Sequence, residues 1–193
     1  MGKFFLGVIF TVVVLALGAF IVANFGLVDM RADQTPSKYE KRFAMGAMDA
    51  SVDRHAPEAK NPIEPNEANL RDGMHIYMMN CAECHGDPKT PESPMGTMEY
   101  PPAPQFMTDA ADMPENQNFF IIKHGVRWTA MPGWQKSLSE QDIWKVTTFL
   151  SHMEKLPPAV EADWKGTPPA AEPGATETKP ATKAMEKTSH HHM

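Results

Sequence analysis

From Phe4 to Val28 the chain carries no charged side chain. Wound as a helix at ~1.5 Å per residue, that run exceeds a ~30 Å hydrocarbon core, so residues 1–28 are expected to form a single membrane-spanning anchor. A cleaved signal peptide is the competing reading, with Ala16 and Gly18 imitating a small-x-small site. Cleavage there would leave Ala19 to Val28 as an apolar N-terminus, which favours the uncleaved anchor. Residues 29–65 are polar and broken by Pro36, Pro57, Pro62 and Pro65, the pattern of a spacer with little core and one short helix from Ser37 to Asp49.

Helical periodicity returns at residue 66. Leu70, Met74, Tyr77, Met78 and Cys81 form one apolar stripe. Phe119, Phe120 and Ile122 give a helix from Asn116 to His124 that stops at Gly125. Ser139, with Asp142 three residues on, starts another helix whose buried face is Ile143, Val146, Phe149, Leu150 and Met153, and Leu138 can staple against Ile143. No strand-like alternation of useful length occurs, so residues 66–157 are expected to be an all-α domain with long loops. Residues 158–193, dominated by Pro, Ala, Glu, Thr and Lys, are expected to be a disordered tail. His190, His191 and His192 at its end read as a tag remnant or an idle polar terminus rather than a metal site.

Composition narrows the function. A formal charge of −6 over 193 residues argues against a nucleic-acid partner, which would want a basic stripe. Only two cysteines occur, Cys81 and Cys84, and that spacing suits a cofactor better than a loop-closing disulfide. The 15 methionines make any single one a packing residue by default.

The chemistry concentrates at Cys81-Ala82-Glu83-Cys84-His85. Two thiols on one helical turn can form thioethers to the two vinyl groups of a haem, and a histidine directly after the second is positioned by those bonds as an axial ligand. A dithiol redox centre would want a preceding strand and a βαβ setting, and zinc would want a second ligand pair, with only His124 and His152 in reserve. For the second axial position Met131, ahead of Pro132 in a loop, is the best-placed thioether. Met95, Met98, Met107, Met113 and His124 also lie where they can approach an iron.

Gly73 and Tyr77 ahead of Cys-Ala-Glu-Cys-His, then Met131-Pro132, then a helix bearing Trp144 and Phe149, together resemble the class I cytochrome c family over about Asn66 to Met153. The resemblance implies a small cytochrome c-like domain around one covalent haem c, with His85 and Met131 on the iron. It also implies that the first and last helices cross at Gly73, that Tyr77 packs beside the haem, and that a proline carbonyl orients the proximal histidine. Pro94, Pro101, Pro102 and Pro104 all compete for that last role, and Pro102 is chosen. Arg127 is assigned to a haem propionate, and Trp128 and Trp134 to the pocket wall.

The expected function is single-electron transfer between redox proteins by a carrier that is not itself an enzyme, serving either as a tethered shuttle or as a fixed subunit of a respiratory complex. Its partners are then membrane redox complexes, and its setting is the periplasmic face of a bacterial inner membrane. The alternative is a haem-based sensor or peroxidase-like enzyme with an open sixth coordination site.

Overall fold

The computed structural model describes residues 2–166, and these contain helices and turns but no strand. The first helix, α1 (Gly2–Asn24), has no buried residue, and its length and apolar composition fit either a membrane anchor or a signal sequence.

Two helices form the heart of the domain. Asn66 caps α3 (Glu67–Asn80) by accepting from the Asn69 N–H, and Ser139 caps α7 (Glu140–His152) by accepting from the Asp142 N–H at 3.1 Å. They cross at Gly73, where a Cβ would collide with the Lys145 carbonyl oxygen and lie 2.8 Å from Phe149 Cβ. Glycine is required there because only bare backbone lets the axes approach so closely. Lys145 adds a 2.7 Å ion pair with Asp72 at the crossing. The stripe of α3 is buried at Leu70, Met74 and Tyr77, but Met78 is exposed.

Between α2 (Lys38–His55) and α7 lies α6 (Glu115–His124), which ends at Gly125 with φ 71°. Its Phe119 stacks on Trp144 of α7 with ring centroids 3.8 Å apart, and Lys123 pairs with Glu140 at 2.8 Å. The short turns α4 (Ala82–His85) and α5 (Pro94–Thr97) flank the loop that follows the cysteines.

Two boundaries differ from expectation. The helix expected over 37–49 runs on to His55, buries Val52, stacks His55 on Phe120 and accepts at Asp53 from the Gln117 amide at 2.8 Å. The C-terminal half of this helix, within the supposed spacer, is therefore docked. The tail is also not wholly unstructured: α8 (Pro158–Trp164) follows Pro157, buries Val160 completely, and inserts Trp164 against Tyr77 and Phe149 at centroid distances of 5.6 and 5.1 Å. Arg71 of α3 clasps it through Asp163 at 2.7 Å. Two large apolar side chains, one turn apart, offset the ordering cost that the average composition of the tail could not. The remaining tail, with the three histidines, lies outside the described residues.

Candidate cofactor site

At the end of α3 the Cys81 N–H still donates to Tyr77 O at 2.8 Å, and α4 carries the chain through Cys84 to His85. Gly86 closes the turn at φ 82°, and the buried Tyr77 hydroxyl donates to its carbonyl at 2.8 Å, tying α3 to the far end of the motif. Burial raises the phenol of Tyr77 well above its ordinary range, so it stays a donor.

Both thiols are free and partly exposed. Burial pushes the Cys81 thiol up to about 12, and burial together with Glu99, 3.4 Å from Cys84 Sγ, pushes Cys84 up to about 11. Near neutrality such thiols are almost wholly protonated, a poor poise for dithiol exchange. Nor, among the described residues, do three or more His, Cys, Asp or Glu side chains converge.

His85 is 8% exposed, and its Nδ1 lies 2.8 Å from the Pro104 carbonyl oxygen. Burial holds its pKa below the ordinary value, so the ring is neutral near pH 7. Nδ1–H donates to Pro104, which leaves the Nε2 lone pair free to ligate. The orienting carbonyl is thus that of Pro104 and not of the exposed Pro102. Side-chain bonds place it there. Gln105 donates from Nε2 to the carbonyls of Cys84 (3.0 Å) and Ala103 (2.8 Å) and accepts from the Ser93 N–H (2.6 Å), while Ser93 donates to Glu83 O. A Cβ on Gly96 would collide with the Cys84 carbonyl. Phe106 then lies parallel to the His85 ring. Spacing along the chain carries no signal for Gln105 or Phe106, which act only once the loop has folded back.

The Met131 loop is a tight turn after α6. Val126 N–H donates to Met131 O at 3.2 Å, Met131 N–H donates to Thr129 Oγ1 at 3.1 Å, and a Cβ on Gly133 would sit 2.7 Å from His124 O. Met131 and Met107 are half-buried against the same apolar cluster as Cys81, Phe106 and Trp134. Met95, Met98 and His124 are exposed, whereas Met113 is half-buried. Arg127 is exposed, with its guanidinium 5.9 Å from the ring of Trp128, which is itself 89% exposed.

Trp134 carries the one buried side-chain polar atom among the described residues without a partner, its indole Nε1–H. Such a donor costs about 1–3 kcal/mol unless an acceptor reaches it, and a haem propionate is an acceptor of the right charge. Paired unreactive thiols, a neutral oriented imidazole, a nearby thioether and an orphaned donor together fit a covalently held haem.

Residues 68–150 match the family model described as cytochrome C oxidase, cbb3-type, subunit III. Among solved structures, a chain of the Kuenenia stuttgartiensis reducing HAO-like protein complex is 21% identical with a TM-score of 0.41. The match covers 52% of this chain and 50% of that one, so it spans about half of that chain's length. No curated protein matches.

Proposed function

We propose, from the match of residues 68–150 to a c-type cytochrome family model, that the chain is a membrane-tethered electron carrier with one covalent haem. The observation that carries this reading is His85 held by Pro104 with Nε2 left to ligate, directly beside Cys81 and Cys84. Haem, when bound, supplies a one-electron couple between ferrous and ferric iron. The protein does the rest. The two cysteine thiols would form the thioethers, His85 Nε2 and Met131 Sδ would be the axial donors, and Trp134 Nε1–H would meet a propionate. A thioether in the second axial position favours the ferrous state and leaves no position for substrate, which supports electron transfer over catalysis.

The apolar α1 supports a single-pass anchor, with the haem domain on the periplasmic side of a bacterial inner membrane, since Lys3 precedes the span. Donor and acceptor are then membrane redox complexes or other electron-transfer proteins.

Absorption spectra of the haem-loaded protein, oxidised and reduced, test the ligation. The weak far-red band from methionine to ferric iron is expected in the wild type and in Met107→Ala, and is expected to vanish in Met131→Ala. A five-coordinate wild-type spectrum would overturn the carrier and favour a sensor or peroxidase-like enzyme.

A further inference from the structure

The C-terminal half of α2 is fixed to the domain through Val52, His55 and Asp53, and Asn116 Nδ2 donates to Pro57 O at 2.9 Å just beyond it. Nearer its start, the Tyr100 hydroxyl donates to Glu40 at 2.6 Å. At ~100° per residue, Met48, Val52 and His55 share the docked side, and Tyr39, Phe43, Gly46 and Ala47 share the opposite one. That outer side is bare: Tyr39 is 76% and Phe43 80% exposed, and with Arg42, Gly46 and Ala47 they line a shallow open depression. Lys38, whose Nζ lies 5.2 Å from the Tyr39 ring centroid, and Arg42 are exposed beside them, and Glu40 accepts from the Tyr100 hydroxyl. In a chain of net charge −6 this is a local cationic and aromatic surface.

Its place in the chain indicates what covers it. Only residues 25–37 separate α1 from α2, so the start of α2 stays within ~45 Å of the end of the apolar helix even with the connection fully extended. We propose that the Tyr39–Phe43 face of α2 lies on the anionic lipid surface of the membrane that α1 spans, a reading that rests on α1 being an anchor. Aromatic rings sit at headgroup depth, and Lys38 and Arg42 at the edge of that face meet lipid phosphates, as in other interfacial helices. A redox protein is the weaker candidate because this face adjoins the tether. The cytochrome domain would then rest against the bilayer in one orientation.

The test uses the full haem-loaded chain in vesicles of phosphatidylcholine, with or without phosphatidylglycerol, read by flotation and by backbone hydrogen exchange over residues 38–47. Anionic vesicles are expected to slow exchange there at least about fivefold relative to neutral ones. That difference should disappear in Tyr39→Ser/Phe43→Ser and in Lys38→Glu/Arg42→Glu, with haem spectrum and flotation unchanged. Chain that floats but exchanges equally on both vesicles overturns the docking and leaves the anchor standing. Failure to float overturns the anchor, and docking with it. Slowing that needs only a higher protein concentration, or only an added redox protein, marks a protein interface and also overturns the proposal.

Discussion

The imidazole of His85 lies parallel to the ring of Phe106, with centroids 4.5 Å apart and planes 13° from coplanar. With the Pro104 carbonyl holding Nδ1, the ring is fixed both in its plane and across it. Phe106→Leu keeps the bulk and removes the flat face, a loss of about 1 kcal/mol. The variant is expected to retain covalent haem while its low-spin ferric EPR signal broadens as the imidazole samples more orientations. An unchanged signal would reduce Phe106 to packing.

Gly73→Ala puts a methyl group against the Lys145 carbonyl and Phe149. Prising α3 from α7 is expected to cost about 1–3 kcal/mol, read as a lower denaturant midpoint with unchanged slope. The oxidised spectrum should persist, because the crossing lies a turn and more before Cys81.

The beginning of α7 was legible because capping is local: Ser139 needs only its own next three residues. Gly125 stops α6 for a similarly local reason. The proline carbonyl was not legible, since four prolines share one loop and the choice depends on Gln105 reaching Cys84 from 21 residues away. The end of the domain was missed for another reason. Averaging the tail over its prolines, alanines and charges hid Val160 and Trp164, the two side chains that dock α8.

Trp164→Ala tests that corrected boundary. Emptying the space between Tyr77 and Phe149 is expected to cost about 3 kcal/mol, measured by thermal unfolding of the haem-loaded chain. A neutral result would return residues 158–164 to the tail.

Trp134→Phe removes only the indole donor, so the sign of its effect is informative. If a propionate accepts from Nε1, the haem-loaded variant loses about 1–3 kcal/mol. If the donor is orphaned there too, the variant gains stability.

Tyr77 sets the alkaline limit. Burial raises its folded pKa above the value of about 10 expected in the unfolded chain. Above pH ~10 the unfolded chain therefore binds fewer protons than the folded one, and stability falls by up to ~1.4 kcal/mol per pH unit. Its contribution is constant below that window. Tyr77→Phe is expected to abolish this share of the fall while losing about 1 kcal/mol below that window with the bond to Gly86, so the two curves converge above pH ~10. Denaturant titrations of both proteins from pH 8 to about pH 11 give the comparison.

The crossing at Gly73 also orders events in time. Asp72 and Lys145, which meet there, are separated by 73 residues, so α3 lacks its main partner until nearly the whole domain has been synthesised. Until then Cys81 and Cys84 sit at the end of a helix without its partner and without the burial that raises their thiol pKa values in the finished fold. On the proposed covalent attachment, late closure leaves both thiols accessible while the thioethers form, and the closed fold then packs around the product.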